Sequence, residues 1–576
     1  MAGTRGFADA NLQMNGNVSV FAQVTDPRLT DAPYVYPWYI NYQGGNAFEA
    51  TECSVPGSND WSSNRRAING GRMDHWAVNN TAWSLAFKTR REIPTHFALA
   101  ENFVVLDHYQ EGVIAPTDPN RVMWLTGSIN VPGGPQKPNQ GGNPYIDNIE
   151  TPGCQGPRNN QFNCYPLDWT TAGEIYEENG VTWSVFQDDD NFDDNDYVHF
   201  RNFQNAPANS SLYKRGVQGE TLDTFYARVA NGTLPEVSYI VSHMEISEHP
   251  PFSTQDGAWF QDMIARAVFN SPKYNNTVII YSYDETGGTA DHVYPYHSPE
   301  GTPGEWIDDP YNEVGYTFAG PGIRVPCYII SPFTRGGGVM TAHADHNSQI
   351  LFIEKWQAAK GKNVTTPEMV AWRREHMSDL VDAFDFENPD YSIPDLPPTR
   401  EPHRNAFGDF DGSVYCESRF PNPRPPVPYK GPGVIRDMAS VVEHGFKPCR
   451  GTLTEGRYLV IEADGLALTQ LAGLATGLAP ATRRHELVEQ RWIVHHEVRG
   501  ETDFRISTAA GDLWICALGL LCEDRDQALV LRIEFTASRG YTMQVRGSSR
   551  FVALGADDEW AEEDEAQYWK IFSVSY

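Results

Sequence analysis

Apolar runs alternate with amphipathic segments through the first two thirds of the chain. Short runs rich in β-branched and aromatic residues predict buried strands, whereas apolar residues spaced three and four positions apart predict helices. The predicted strands are Phe103–Leu106, Val181–Phe186, Val237–Val241, the run from Thr277 to Tyr283, and Val325–Ser331, and the predicted helices are about Pro119–Thr126, Thr221–Ala230, Ala258–Phe269 and Asn347–Ala359. Such alternation predicts an α/β domain with a mainly parallel sheet between helices.

The pattern changes at about residue 390, where proline becomes frequent. We predict an α/β domain at residues 1–389, a semi-rigid proline-rich linker at 390–433 and a small all-β domain at 434–576. The last part contains short β-like runs at Arg457–Glu462, Arg491–His496, Asp503–Ile506, Leu513–Ala517, Ala528–Phe535 and Tyr568–Ser575. These runs fit a barrel, a sandwich or a trefoil. Glycan binding by the aromatic residues of this module is an alternative to their packing in its core.

Length and charge limit the classes of protein to which the chain can belong. It has 576 residues, too many for one hydrophobic core, and hydrophobic residues make up 40% of it. Its 44 basic and 75 acidic side chains give a net charge of −31, which repels nucleic acid and anionic membranes. No apolar run of about 18 residues occurs, so integral membrane association is not expected. One acidic run, Asp188–Asp196, lacks the spacing of an EF-hand calcium loop and predicts a solvated loop.

Eight cysteines and several glycosylation sequons favour a secreted glycoprotein. The spacings of Cys154–Cys164 and Cys516–Cys522 would allow small disulfide loops, and the absence of a Cys-x-x-Cys pair argues against structural zinc. The sequons begin at Asn17, Asn79, Asn209, Asn231, Asn275 and Asn363. The N-terminus carries no apolar segment of a signal peptide. We therefore expect that the protein is not secreted or that its natural beginning is missing.

Two adjacent carboxylates end the apolar run that begins at Thr277. Asp284 and Glu285 are followed by a Gly-Gly turn and then by Asp291 and His292. In open α/β sheets, ligands bind beyond the carboxyl ends of the strands. This segment therefore predicts a metal or phosphate site, and a solvated turn is an equally common explanation of the segment alone.

A second candidate is the segment Ala115–Arg121. Pro119 suits the first turn of a helix, which places Thr117 or Asp118 at the N-cap. A hydroxyl at a helix N-terminus lies where phosphate oxygens bind well, and next to a divalent metal it becomes a nucleophile. An ordinary capping threonine is the alternative for this motif in isolation.

The order of these motifs resembles the phosphoesterase family of phospholipases C and related acid phosphatases, within the alkaline-phosphatase-like superfamily. The residues that carry the resemblance are Thr117, Ser247-Glu248-His249, Asp284-Glu285 and Asp345-His346-Asn347-Ser348. The resemblance covers roughly residues 1–385. The segment Gly57–Trp61 and the C-terminal module are similar to fungal members in particular.

The resemblance implies a mechanism. Thr117 would attack phosphorus and form a phospho-threonine intermediate, while Asp284 and Glu285, with Thr117, would hold a divalent cation of unknown identity. His249 would bind the phosphoryl group or protonate the leaving alkoxide. A histidine that only shapes the loop before Pro250 is the alternative for His249.

Other residues have less certain roles in this family pattern. Arg121 would face phosphate or form a structural ion pair. Asp291-His292 and Asp345-His346 would support metal and phosphate ligands, and for both pairs a hydrogen bond that braces a loop is at least as common a role.

The chain departs from the family pattern in two places. Members open with an apolar strand that ends in a Glu-Asn pair, which supplies two further metal contacts, followed by an Asp-His-Tyr-Phe-Gly-type stretch. Here Met1–Phe7 resembles the segment just after that stretch. We therefore expect that Met1 is an internal methionine and that the natural protein starts several dozen residues earlier. The second departure is Asn59, which stands where many relatives have a phosphate-binding histidine.

The main hypothesis is a metal-dependent hydrolase of phosphoric esters, of the phospholipase C type, acting on phospholipid. An acid phosphatase acting on small soluble monoesters is the nearest alternative, and an inactive, binding-only protein is a third because the Glu-Asn pair is absent. A sulfatase is excluded because oxidation of Thr117 would give a ketone instead of the required aldehyde. Trp76, Trp83 and Trp124 are candidates to border a site for the diacylglycerol leaving group.

Overall fold

The computed structural model describes residues 1–26, 33–44, 53–136, 144–148, 165–420, 438, 440–555 and 559–576. The α-helices are Trp61–Ile68, Trp76–Asn79, Pro94–Asn102, Thr117–Thr126, Ala172–Glu178, Arg201–Gln204, Leu222–Asn231, Thr254–Phe269, His346–Ala359, Ala371–His376 and Gly412–Arg419. Every helix predicted from the apolar spacing is present. The Thr254–Phe269 helix begins four residues before the predicted Ala258, because the Ser253 side chain caps it by accepting a hydrogen bond from the Gln255 N–H.

Four strands form the sheet at the centre of the α/β part. Their order is Ile279–Ser282, Cys327–Ile330, Val104–Leu106 and Val339–Met340. A further parallel pair is formed by Trp183–Phe186 and Val237–Ile240. The remaining short strands before the C-terminal module are Met14–Asn15, Val18–Ser19, Gln23–Val24, Tyr34–Val35, Trp38–Tyr39, Ala86–Phe87, Tyr109–Gln110, Trp306–Asp308, Tyr316–Phe318 and Ala344–Asp345. The predicted α/β class is confirmed.

Three of the four central strands run in the same direction, as a mainly parallel sheet predicts, and the fourth is reversed. The Cys327–Ile330 strand runs antiparallel to both of its neighbours, while Val339–Met340 runs parallel to Val104–Leu106. A parallel return needs a crossover, which is usually a helix. Residues 283–326, which precede the reversed strand, contain a short antiparallel hairpin, Trp306–Asp308 with Tyr316–Phe318, and no helix. The chain can therefore return in the opposite direction.

The helices cover the sheet with apolar faces. In the Thr254–Phe269 helix, Phe260, Ile264 and Val268 are buried and pack with Phe225 of the Leu222–Asn231 helix. Burial of each such side chain contributes roughly 1.5–3 kcal/mol. This packing fixes the strand that leads to Asp284.

The C-terminal region is all-β, as predicted. Its strands are Gly445–Arg450, Tyr458–Ala463, Leu466–Gln470, Thr476–Pro480, Trp492–His496, Asp503–Thr508, Trp514–Ala517, Leu520–Cys522, Leu531–Thr536, Gly540–Val545, Phe551–Leu554, Trp560–Glu563 and Lys570–Ser575. Six of them pair in a closed ring, which the bridge between Tyr541 and Trp569 completes. Three hairpins alternate with the ring strands. This is the pairing pattern of a β-trefoil.

The β module is joined to the central sheet by hydrogen bonds. Val339 and Met340 pair in parallel with Cys449 and Arg450, so the sheet continues from one part into the other. The buried side chains of Arg457 and Asp107 form an ion pair across the same boundary. The two parts therefore share one continuous sheet and a buried ion pair.

Two disulfides lie within the described residues. Cys516–Cys522 forms as the spacing predicted, and Cys53 pairs with Cys416, which are 363 positions apart in sequence. The predicted pair Cys154–Cys164 lies outside the described residues. Within the part of the chain that is described, no helix has the length and apolar composition needed to span a bilayer.

Candidate active site

The carboxylate turn, Asp284–Gly288, follows the Ile279–Ser282 strand at the edge of the central sheet. The Asp284 side chain is 28% exposed, whereas Glu285 is buried. The backbone N–H of Gly287 donates a hydrogen bond to a carboxylate oxygen of Glu285 at 2.5 Å. The turn thus presents one accessible and one buried carboxylate beyond the carboxyl end of a strand, where ligands bind in α/β sheets.

The Thr117–Thr126 helix starts at the predicted threonine. Pro116 is the N-cap and Thr117 is the first helical residue, so the prediction of Thr117 or Asp118 at the N-cap is wrong by one or two positions. Within the described residues, the Thr117 hydroxyl makes no hydrogen bond and caps no backbone N–H. The side chain is 8% exposed. The Thr117 hydroxyl therefore lies at the positive end of a helix dipole, without a hydrogen-bond partner among the described residues.

Arg121 connects this helix to the carboxylate turn. Its Nε donates to Asp284 Oδ2 at 3.0 Å, and its guanidinium pairs with Asp194 Oδ2 at 2.8 Å. Thr117 and Arg121 are four positions apart and so are neighbours on one helix face. Burial raises the pKa of Asp118, and the Asp284 charge adds to the rise. The start of the helix and the carboxylate turn therefore belong to one electrostatic site. Of the two predicted roles for Arg121, facing phosphate or forming an ion pair, the structure has the ion pair.

The site concentrates negative charge in a buried place. Burial, together with the neighbouring Asp284 charge, raises the pKa of Glu285. Glu111, which the sequence analysis missed, is fully buried nearby, and burial with the charges of Glu285 and Asp284 raises its pKa well above the ordinary value. One Glu111 oxygen accepts a hydrogen bond from the Ile323 N–H at 3.0 Å, while the other is buried and has no partner within the described residues. Such a group of carboxylates favours a cation.

Asn59 lies beside the carboxylate turn. Its side chain approaches the Glu285 carboxylate and partly offsets the rise in pKa. The approach depends on Gly288, whose φ is +75° and where a Cβ would lie 2.7 Å from the Gly57 backbone. A glycine is therefore needed at position 288. Asn59 is thus placed at the site, next to a carboxylate.

His249 lies on a loop that reaches the same turn. Its Nδ1 donates to the Pro250 carbonyl oxygen at 2.7 Å, which leaves Nε2 as the ring nitrogen that can reach a ligand. The ring packs against Phe192, with centroids 5.4 Å apart. Pro250 lies so close to Gly287 that a Cβ there would meet it at 3.1 Å. The histidine loop and the carboxylate turn are therefore in direct contact.

Comparison with known proteins identifies the family. A model of the phosphoesterase family matches residues 1–357, which is more than half of the chain. The chain belongs to the phosphoesterase family. The non-hemolytic phospholipase C of Burkholderia pseudomallei is 31% identical to this phosphoesterase over 450 residues, which are 71% of this chain and 60% of that protein. The chain thus spans about 60% of the length of that relative.

A second relative is covered more completely. Phospholipase C A of Mycobacterium tuberculosis is 31% identical over 418 residues, 68% of this chain and 74% of that protein. Among solved structures, a protein in the alkaline phosphatase superfamily from Vibrio parahaemolyticus matches at 13% identity over 49% of this chain and 62% of that one, with a TM-score of 0.24.

Asp345 and His346 lie next to the carboxylate turn and contact the protein around it. His346 Nε2 donates to the Asp284 carbonyl oxygen at 2.7 Å, and its Nδ1 accepts from the Tyr109 hydroxyl at 2.9 Å. Asp345 is fully buried, caps the His346–Ala359 helix and pairs with Arg373. The contacts of both residues are thus with the protein itself, and His346 fixes the backbone of the carboxylate turn.

Asp291 and His292 lie in a different buried network. Asp291 pairs with the Arg324 guanidinium at 2.7 Å, and His292 Nε2 lies 2.9 Å from Asp9. Burial opposes ionisation of Asp291, but the Arg324 charge outweighs it and holds the pKa of Asp291 well below its ordinary value of 3.8. These contacts brace the loop that follows the carboxylate turn.

Asp291→Asn is expected to destabilise the protein by about 3 kcal/mol at pH 7, because it leaves Arg324 buried without its partner. The depressed pKa of Asp291 contributes stability that is present above the unfolded value of 3.8 and is lost as the pH falls below it. The difference in free energy of unfolding between wild type and Asp291→Asn, measured by urea unfolding, should therefore become smaller as the pH falls from about 5 to 3. Asp564→Asn, which changes an exposed ion pair with Arg550, is the control and should show little effect at any pH. A gap for Asp291→Asn that stays constant with pH would contradict the prediction.

The acidic run is not a solvated loop throughout. Asp194 and Asp196 are 7% and 1% exposed, so that prediction is wrong for these residues. Asp194 is buried because Arg121 pairs with it. Asp196 lies with Asp118 and His199 in a group whose potential ligand atoms are all within 4.8 Å of one another. Sequence analysis missed this group because its members come from two separate segments.

The predicted tryptophan border is also mostly wrong. Trp76 and Trp83 are 0% and 8% exposed and belong to a hydrophobic core that includes Trp38. Trp124 is partly buried, packs against Tyr239 and donates its N–H to Gln349. Large aromatic residues contribute more to a core than to a surface, so their core positions agree with the hydrophobic effect.

Proposed function

We propose that this phosphoesterase hydrolyses phosphoric esters as a metal-dependent enzyme of the phospholipase C type. The observation that carries the proposal is the ion pair between Arg121 and Asp284, because it holds the helix that begins at Thr117 against the carboxylate turn. A hydroxyl and two carboxylates near one helix N-terminus are the groups that a phosphoryl transfer needs.

The residues present suit a divalent cation. Asp284 and Glu285 would hold it, together with the Thr117 hydroxyl. Hard oxygen donors of this kind are typical ligands of divalent cations. Two observations support a cation here: burial and the Asp284 charge raise the pKa of Glu285, and one buried oxygen of Glu111 has no partner within the described residues. When bound, the cation would lower the pKa of the hydroxyl and offset the charge of the phosphate.

In the first step, the Thr117 hydroxyl loses its proton to solvent and Oγ1 attacks phosphorus in line with the leaving group. A bond forms between Oγ1 and phosphorus, the bond from phosphorus to the alkoxide oxygen breaks, and His249 Nε2 donates a proton to that oxygen. The products are a phospho-threonine and the free alcohol. The positive end of the Thr117–Thr126 helix dipole would stabilise the phosphate oxygens.

In the second step, water hydrolyses the phospho-threonine. His249, now neutral, takes a proton from the attacking water, and the bond between phosphorus and Thr117 Oγ1 breaks; Oγ1 then takes a proton from solvent, which restores the hydroxyl. The hydrogen bond from His249 Nδ1 to the Pro250 carbonyl oxygen leaves Nε2 as the nitrogen that exchanges the proton in both steps. His249 therefore acts first as acid and then as base.

The substrate proposed is a phospholipid, because the relatives are named phospholipases C. The disulfide Cys53–Cys416 fits a protein that works outside the cell, and we propose a secreted enzyme. An acid phosphatase that acts on small monoesters is the alternative.

Substrate comparison tests this assignment. The protein is incubated with phosphatidylcholine or phosphatidylglycerol vesicles, or with an aryl phosphate monoester, in the presence of a divalent cation. We expect diacylglycerol release with a kcat/KM well above that for the monoester. Hydrolysis of the monoester alone would overturn the phospholipase assignment in favour of the phosphatase, and hydrolysis of neither would overturn both.

A further inference from the structure

A group of metal-ligand side chains lies beside the Thr117–Thr126 helix, outside the carboxylate turn. It consists of Asp118, Asp196 and His199. His199 Nε2 is 3.8 Å from Asp118 Oδ2 and 3.7 Å from Asp196 Oδ1. These distances are too long for hydrogen bonds and leave room for an ion between the three side chains.

The central carboxylate is buried without a partner. The Asp196 side chain is 0% exposed, and neither of its oxygens has a hydrogen-bond partner within the described residues. His199 Nε2 is likewise buried and without a partner there. The nearby cation, Arg121, makes its contacts with Asp194 and Asp284. An ionised carboxylate buried in this way is strongly unfavourable unless another cation is present.

We propose that Asp118, Asp196 and His199 bind a divalent transition-metal cation at a site distinct from that of Asp284 and Glu285. Two carboxylates and one imidazole suit zinc, manganese, iron or cobalt, whereas magnesium and calcium prefer oxygen ligands alone. Three protein ligands leave a coordination position open.

A cavity next to the group could hold a further ligand of the cation. Asp118 and His199 line a cavity of about 360 Å³, which Asn148, Gln187 and Asn195 also border. The Tyr145 hydroxyl donates to Asp118 Oδ2 at 3.2 Å and so helps to orient this ligand. Because Asp118 follows Thr117 directly, a cation here would also fix the loop that carries Asp196 to the start of the Thr117–Thr126 helix.

Cobalt binding tests the proposal. The number of Co²⁺ ions per chain is measured by equilibrium dialysis for wild type, Asp196→Asn and His199→Gln after removal of bound metal. We expect each variant to bind one ion fewer than wild type. His243→Gln should bind as wild type does, because His243 lies 3.3 Å from Asp188 and so forms another histidine–carboxylate pair outside the group. Equal numbers of ions in wild type and His199→Gln would overturn the proposal.

Asp284→Asn separates this site from the one in the proposed function. Asp284→Asn should still bind the Co²⁺ ion whose visible absorption shows a nitrogen ligand. That absorption should disappear in His199→Gln. If Asp284→Asn also abolishes the nitrogen-ligated ion, the two sites are one and the inference fails, while the proposed function stands.

A measurement on wild type alone avoids variants that fold poorly. Metal-free wild type is titrated with Co²⁺, and the visible absorption of the bound ion is recorded at each addition. One bound ion per chain should show the absorption of a nitrogen-ligated cobalt. A titration that ends without any nitrogen-ligated ion would contradict the proposal.

Discussion

Thr117→Ala is expected to lower kcat for phosphoester hydrolysis by about 10⁴-fold or more, the scale of losing a catalytic nucleophile. The methyl group cannot attack phosphorus, and no other hydroxyl occupies the first position of that helix. Binding of the substrate should change far less than kcat, because Asp284, Glu285 and the helix N-terminus remain. The measurement is kcat and KM on vesicles of the preferred phospholipid.

Two controls accompany the Thr117 variant. Thr117→Ser keeps a hydroxyl and should restore most of the activity. Thr254→Ala changes a threonine in the same first position of another helix, Thr254–Phe269, and should leave kcat within about twofold, as surface substitutions away from a site usually do. Activity of Thr117→Ala near that of wild type would contradict the account.

Asp284→Asn is expected to weaken the binding of the divalent cation by about 10³-fold. A carboxylate close to a unit positive charge contributes roughly 4 kcal/mol at an effective dielectric constant near 20, which corresponds to that factor. The substitution also removes the partner that Arg121 Nε contacts at 3.0 Å. Activity should be measured against cation concentration after treatment with a chelator.

The dependence on cation concentration distinguishes two effects. If Asp284 holds the cation, the variant should need far more cation for half-maximal activity and should regain part of its activity at high concentration. Asp189→Asn changes an exposed acid of the same charge and should follow the wild-type curve. A variant that loses activity but keeps the wild-type cation requirement would show that Asp284 has another role.

The carboxylate turn could be predicted from sequence because strand and turn are local. An apolar run that stops at Asp284 and Glu285, before two glycines, specifies both a strand end and a tight turn. Thr117 was found for the same reason, since Pro119 signals the first turn of a helix. The start of that helix was misplaced by a position or two, as is usual for helix ends.

Contacts between distant segments could not be predicted in this way. Glu111 follows the short strand Tyr109–Gln110, and this carboxylate after a strand is the same local signal that marked Asp284, but the strand is too short to stand out. Asp196 was expected in a solvated loop because its run is acidic. Its burial depends on how the loop docks on the Thr117–Thr126 helix, which no local pattern encodes.

The reversed strand Cys327–Ile330 shows a similar limit. Its apolar composition predicted a buried strand correctly, and composition does not specify direction. Direction follows from the preceding residues 283–326, which contain a hairpin and no helix.

The most direct test of the central claim is to look for the phosphoryl group on the protein. Wild type is mixed with excess phospholipid and divalent cation, quenched in acid within milliseconds to seconds, and digested for mass spectrometry. The account predicts phosphate on Thr117, absent from Thr117→Ala and at wild-type level or above in His249→Gln treated with a substrate whose leaving group needs no proton. Full turnover with no phosphate on Thr117 at any quench time, or phosphate on another residue, would contradict it.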